Sequence, residues 1–379
     1  MADGIRIQPV VDKRDLRRFI DFPARIFADD AQWVRPLTLE RSMHLDRKHN
    51  PYFDHAEVAY WLAWRGDTPV GRISAQVDAN HLAHYRDATG HFGFLDAVDD
   101  DEVFAALFET AEDWLRNRGM RRVVGPFTLS INDESGLLVE GFHRPPYFMM
   151  GHARPYYGSR VEAHGYAKAV DMFAYFFDTA WPVDTRFARL TTRGLAGHEV
   201  RFRPLNWKRY ADELALIVDI FNDAWSNNWG FVPMTDAEVT AMARHLKPII
   251  GSRYISIAEV DGDAAAMAVT IPNLNAEIGG FDGRLVPFNW ARLIWRLKLR
   301  GARSMRMPLM GVRKKYQSSP LGAALALGVI EEVRRYHTGK GVTEAELSWV
   351  LEENRRTHHI ITQMGGKHDK TYRVYEKSL

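Results

Sequence analysis

The chain contains no cysteine, and that absence removes several chemistries together. Disulfides, thiolate catalysis and cysteine-ligated zinc or iron–sulfur centres are all excluded. Net charge is nearly absent as well, at +2 with histidines neutral. Binding nucleic acid calls for a basic surface, so no nucleic-acid partner is expected and any basic patch must be local. Nowhere do about 18 apolar residues run together without charge, which argues against a membrane-crossing helix. The opening MADGIRIQPVVDKRD lacks the apolar centre of a signal peptide. Histidines number 15, yet no HExxH or comparable ligand spacing occurs, so no metal is expected. These absences suit a cytoplasmic protein.

What is present describes an ordinary globular chain. Hydrophobic residues make up 46% and charged residues 26%, close to the usual balance. A length of 379 residues is long for one core and favours two domains.

The order of elements repeats. Ile5-Arg6-Ile7-Gln8-Pro9-Val10 is echoed by Val200-Arg201-Phe202-Arg203-Pro204-Leu205. Each short alternating strand precedes a helical stretch, Lys13 to Phe27 and Tyr210 to Trp225. A hairpin follows at a similar spacing, 59–77 turning at Gly66-Asp67 and 254–271 turning at Asp261-Gly262. Both dipeptides have the chemistry tight hairpins prefer. Next come a strand and a long helix, Gly93 to Val98 with Glu102 to Arg118, then Met305 to Val312 with Leu321 to His337. A further strand closes each series, Arg121 to Phe127 and Glu344 to Leu351. This order indicates two similar α/β units with mixed sheets, 1–180 and 198–379. Trp181-Pro182 and Gly194 break the pattern between them.

With this order in view, the chain resembles two tandem copies of the GNAT acyltransferase fold. In that superfamily the fourth strand leads into a loop of form (Arg/Gln)-x-x-Gly-x-(Gly/Ala), whose amides hold the pyrophosphate of coenzyme A. Gln317-Ser318-Ser319-Pro320-Leu321-Gly322 fits that frame, with proline replacing the first glycine. The segment SWVLEENRRTHHIITQMGG (348–366) resembles the fifth strand and the helix after it. Asn354 matches the asparagine that contacts the cofactor arm. A closer resemblance is to the bacterial ceramide synthase family. It rests on GPFTLSINDESGLLVEGFHRPPYFMMGHARPYY (125–157), AWSNNWGFVPMT (224–235) and ELSWVLEENR (346–355).

The resemblance implies acyl-CoA as co-substrate, with no tightly bound cofactor, and a long-chain amine (a sphingoid base) as acceptor. It implies cofactor contacts from Met310, Gly311, Val312, Gln317, Ser318, Ser319, Leu321, Gly322 and Asn354, with an oxyanion-binding amide among Met310 to Val312. A helix N-terminus supplies spare amides and partial positive charge, which suits a pyrophosphate. The plainer reading is that Ser319 caps the helix and Pro320 takes its first position. In the first half the matching place is Asp99-Asp100-Asp101-Glu102, which repels a pyrophosphate, so coenzyme A is expected only in the second half.

Acyl transfer needs a neutral amine, hence a proton acceptor. Glu346 and Glu352 are the candidate bases; Glu346, Ser348, Val350 and Glu352 share one face of that strand, since side chains alternate. A buried structural acid paired with an arginine is the competing role for Glu346. The tyrosine that many GNAT enzymes place seven residues after the asparagine is replaced by Ile361. Trp229, Phe231 and Asn273 are candidate acceptor contacts. The segment 287–303, with Arg292, Arg296, Arg300 and Arg303 along one stripe and Trp290, Leu293, Ile294 and Leu297 along another, suits an anionic membrane surface. That would place the protein on the inner face of the cytoplasmic membrane. Two other functions stay open: a tandem GNAT-like aminoacyl transferase using charged tRNA, and a non-catalytic lipid-binding protein.

Overall fold

The structure is a computed structural model and describes residues 4–179 and 185–379. The chain forms two compact units. One comprises residues 1–172, 278–289 and 370–379, the other 173–277 and 290–369.

In the first unit the strands are β1 (Ile5–Pro9), β2 (Ala56–Arg65), β3 (Thr68–Asp78), β4 (Thr89–Ala97), β5 (Arg122–Gly125), β6 (Leu137–Glu140) and the start of β7 (Ala167–Asp178). The second holds the rest of β7, then β8 (Val200–Pro204), β9 (Ile255–Val260), β10 (Asp263–Pro272), β11 (Ser304–Val312) and β12 (Glu344–Leu351). Most of β13 (Lys367–Ser378) returns to the first unit. The sheet order is β1-β2-β3-β4-β5-β13 in the first unit, with β6 also on β13, and β7-β12-β11-β10-β9-β8 in the second. Each sheet is mixed. The pairs β4–β5 and β11–β12 are parallel, while the hairpins β2–β3 and β9–β10 are antiparallel.

The two hairpins form where the turn residues allow it. Gly66 has φ 57°, and Asp261 and Gly262 have φ 52° and 89°, the left-handed conformations that tight hairpins require. The helices follow the strands as the repeat implied: α1 (Asp101–Arg116) after β4, α2 (Tyr210–Trp225) after β8, and α4 (Pro320–Gly339) after β11, with α3 (Asn289–Ile294) between α2 and α4. A last helix, α5 (Arg355–Gln363), follows β12.

The partition differs from a contiguous split after residue 180. Antiparallel pairing of Tyr375 with Gly125 and of Ser378 with Arg122 ties β13 to β5. That is why the last ten residues count with the first unit. The Trp181-Pro182 break lies outside the described residues.

The second unit's core lies between its sheet and α4. Leu325, Val329, Ile330 and Val333 of α4 pack with Leu347, Val350, Ala266 and Ala268. Leu347 and Val350 lie in one cluster although three positions apart.

Candidate functional site

The feature that organises the second unit is a parting of two strands. β11 and β12 pair in parallel only from Ser304 opposite Glu344 to Met307 opposite Leu347. Both continue, β11 to Val312 and β12 to Leu351, but the ladder stops where Pro308 removes a donor. Beyond that point the two strands run on unpaired, leaving a gap in the ladder.

On its other side β11 stays bound to β10, with Met267 opposite Gly311 and Ala266 opposite Val312. Arg313 N donates to Ala265 O at 2.8 Å, so Arg313 and Gly311 turn their peptide groups toward β10. Met310 and Val312 must then turn theirs the opposite way, into the gap. Two side-chain bonds fit this parity. Trp225 Nε1 donates to Met310 O at 3.2 Å, and Gln317 Nε2 donates to Val312 O at 2.8 Å. Trp225 also meets Trp349 of β12, ring centroids 5.6 Å apart. The N–H groups of Met310 and Val312 are thereby directed into the gap.

In the loop after β11 the helix cap of the plainer reading is present. Ser319 adopts an extended conformation, and its Oγ accepts from Gly322 N at 3.0 Å while Pro320 takes the first helical position. Gly322 is a glycine for a local reason: a Cβ there would lie 2.0 Å from Tyr316 O. The close approach is to the preceding turn. Gln317 spends its amide on Val312 O and on Ala224 O at 3.2 Å, so its side chain braces the loop. Ser318 is exposed, and Arg356 of α5 donates to its Oγ at 3.1 Å. Sequence reasoning missed Arg356, whose signal was a basic residue two places after Asn354. Asn354 caps α5, accepting from Thr357 N at 3.3 Å.

Of the flanking basic residues, Arg313 is paired with Asp219 at 2.5 Å. Lys314 donates to Ser226 Oγ and Asn227 Oδ1. Lys315 is half exposed and 3.9 Å from Asp263. Asp223 adds a third carboxylate there, accepting from Lys314 N at 2.8 Å.

Glu346 and Glu352 sit in different surroundings. Glu346 is fully buried in the paired part of the ladder. Its Oε1 accepts from Ser348 Oγ at 2.5 Å, and Arg306 Nε donates to the same Ser348 Oγ at 2.9 Å. Arg306 Nε lies 4.0 Å from Glu346 Oε1. Ser348 follows the last paired residue, so this polar chain ends at the root of the gap. Arg306 is the lone charge among the apolar residues of MRMPLM, a signal the sequence offered and the reading passed over. Glu352 is half-buried, just past β12.

Ile361 is buried in the core and offers no proton. Nearby, the Tyr175 hydroxyl and His358 Nδ1 are 2.7 Å apart, and His358 Nε2 is 2.9 Å from Leu351 O. With Nε2–H donating to that carbonyl, Nδ1 is the acceptor of the tyrosine proton.

The acceptor candidates scatter. Asn273 is buried at the far end of β11, its N–H donating to Ser304 O at 3.0 Å. Phe231 is buried against Phe221, and Trp229 is half-buried. Phe221 also meets Trp225, ring centroids 5.1 Å apart, so Phe231 is joined through two rings to the Trp225 that holds Met310 O. Among the described residues no cluster of three or more histidines and carboxylates could hold a metal.

Comparisons with known proteins agree with this geometry. No family model matches the chain. It is 48% identical over 376 residues to bacterial ceramide synthase of Caulobacter vibrioides, covering 99% of this chain and 98% of that one. This chain belongs to the bacterial ceramide synthase family. Protein YghO of Escherichia coli is 41% identical over 375 residues, covering 98% of this chain and 95% of that protein. Among solved structures, a tandem GNAT protein from the clavulanic acid biosynthesis pathway matches with a TM-score of 0.57 at 12% identity. That match covers 99% of this chain and 98% of the other. A GCN5-related N-acetyltransferase from Sphaerobacter thermophilus matches at a TM-score of 0.54 and 12% identity, over 100% and 96%. Those two likenesses concern the fold alone, a tandem GNAT fold. Family and fold together make the chain an acyltransferase.

Proposed function

We propose that this protein transfers a fatty acyl group from acyl-CoA to the amine of a sphingoid base, forming an amide. The observation that carries the reading is the gap between β11 and β12 in a chain 48% identical, end to end, to a ceramide synthase. Acyl-CoA is the co-substrate. Its diphosphate would rest at the start of α4, against the Leu321 amide and the exposed Ser318, with Arg356 close by. Pro320 and the Ser319 cap reduce the number of amides on offer, and Arg356 and Lys315 compensate with charge.

The thioester carbonyl would lie between the strands, within reach of the Met310 or Val312 N–H. The amine attacks as its proton leaves through Ser348 Oγ to Glu346, which already holds the Ser348 hydroxyl. Nitrogen gains the acyl carbon, the carbon–sulfur bond breaks, and CoA departs as thiolate. Arg306 balances the buried carboxylate when no proton is on it. Glu352 is the rival base. Glu346→Gln should lower kcat at least about 100-fold and Ser348→Ala nearly as much, with Glu352→Gln close to wild type. A reversed pattern would move the base to Glu352. Amide product with charged tRNA in place of acyl-CoA would overturn the reading as a whole.

The substrates partition into lipid, and the helix around α3 suits a membrane surface, though by a different face from the one the arginines suggested. Arg300 pairs with Glu277, Arg296 donates to Glu277 O, and Arg303 donates to Gly341 O. Outward, Trp290, Ile294 and Trp295 are each 52% exposed and Leu299 78%. Exposed tryptophan and leucine with Lys298 among them fit an interfacial helix. Among the described residues no helix is long and apolar enough to cross a membrane. Trp295→Ser with Leu299→Ser should weaken co-sedimentation with anionic vesicles about tenfold. Undiminished sedimentation of that variant would refute the surface role.

A further inference from the structure

A small apolar cavity, partly open to solvent, lies in the second unit beside α4. Met307 and Leu347 line it, and they form the last paired step before β11 and β12 separate. The cavity therefore starts at the root of the gap. From there it runs past Met305 and Ala345 toward Val342 and His337. Ile330 and His337 both line it and lie about 10 Å apart along the helix axis.

Several polar residues border this space, and their polar groups are committed elsewhere. Thr270 Oγ1 donates to Tyr254 O at 2.7 Å and lies 2.8 Å from His337 Nε2. Thr179 Oγ1 donates to Val342 O at 2.6 Å. Arg334 binds Glu331 at 2.6 Å and Thr179 O at 3.1 Å. Arg306 is turned to Ser348. The wall facing the cavity is thus made of methionine, valine, isoleucine and leucine carbons. Such a surface takes a hydrocarbon and offers a head group nothing.

We infer that this cavity receives the acyl chain of the thioester, and that Met305, Val342 and Ala345 set the chain length it accepts. The inference rests on the acyl-CoA reading above and deepens it by separating the nucleotide end, at α4's start, from the alkyl end, beneath α4. Ala345 and Met305 are the positions where a change of volume alters depth with least disturbance. Ala345 is only partly buried and small, and methionine tolerates replacement in a core.

Calorimetric titration of the full chain with CoA, acetyl-CoA, octanoyl-CoA and lauroyl-CoA tests this, with circular dichroism confirming that each variant is folded. In the wild type, octanoyl-CoA should bind at least about tenfold tighter than acetyl-CoA, because each methylene buried adds affinity. Ala345→Leu should weaken lauroyl-CoA about tenfold and leave CoA and acetyl-CoA unchanged; Met305→Ala should favour lauroyl-CoA over octanoyl-CoA. CoA bound with no chain-length dependence, or variants that shift all four ligands equally, overturns the pocket while the acyl-CoA reading survives. No binding of CoA itself sinks that reading and the pocket with it.

Discussion

Each unit contains the same parallel step, and the two have been put to different use. In the first, β4 and β5 pair only from Thr89 opposite Arg122 to His91 opposite Val124. There the chain fills its own opening: Phe127 N donates to Phe92 O at 2.9 Å, and Gln76 Nε2 donates to the carbonyls of Phe127 and Leu129, each at 3.1 Å. Phe127, Leu129 and Ser135 are buried. In the second unit β11 and β12 part after Met307, and Trp225 of α2 meets Trp349 of β12 there. The helix starts differ to match. Asp100 caps α1 and pairs with Arg65 at 2.7 Å, while Asp99 binds Arg160 at 2.9 Å. α4 begins with Ser319, Pro320 and an exposed Ser318. The comparison teaches that one fold element can be closed by its own chain in one copy and left unpaired in the other.

The sharpest way to break this comparison uses one glycine from each unit. A Cβ on Gly93 would sit 1.7 Å from Phe127 O, and one on Gly322 2.0 Å from Tyr316 O. Neither backbone oxygen can step aside cheaply. Each alanine variant should lose about 3 kcal/mol or more of unfolding free energy. They should differ in ligand response: Gly93→Ala keeps CoA affinity, and Gly322→Ala loses it. Equal loss of affinity in both would deny the division of roles.

Acid should act on both units by one mechanism. Burial lowers the pKa of His337 to about 4, and burial with the charges of His81 and Arg122 holds His91 well below its ordinary value. Both histidines are neutral in the folded protein, while the unfolded chain binds protons near pH 6.5. The stability they preserve is present above that pH and is lost as pH falls toward the folded values. For His337 the loss between pH 6.5 and about 4 amounts to roughly 3 kcal/mol. Urea midpoints for His337→Asn should flatten over that window relative to wild type. An unchanged slope would show that His337 does not titrate as its burial implies.

Much of this architecture was legible in the sequence because it is written in local periodicity. The hairpins at Gly66-Asp67 and Asp261-Gly262, the strand Met305 to Val312 and the helix after Ser319 all declared themselves by spacing and turn chemistry. What stayed hidden depends on pairing between distant segments. Nothing near Tyr375 reveals that it pairs with Gly125, so the last strand was assigned with its sequence neighbours. Gly322 resembled a place for a phosphate; only the folded turn brings Tyr316 O against it. The arginine stripe of 292–303 was read as meeting an anionic membrane because Glu277, which holds Arg300, lies in a separate segment. Glu346 was picked out by its residue type, but its hold on Ser348 and its nearness to Arg306 come from the register of β11 on β12.

A crystal structure of the full chain with a thioether analogue of lauroyl-CoA probes the division between the two units most directly. The account expects the diphosphate at Ser318 to Gly322, the sulfur between β11 and β12, and the alkyl chain beside Met305 and Ala345. Density for the nucleotide at Asp99 to Glu102, or a chain lying between β4 and β5, would contradict it.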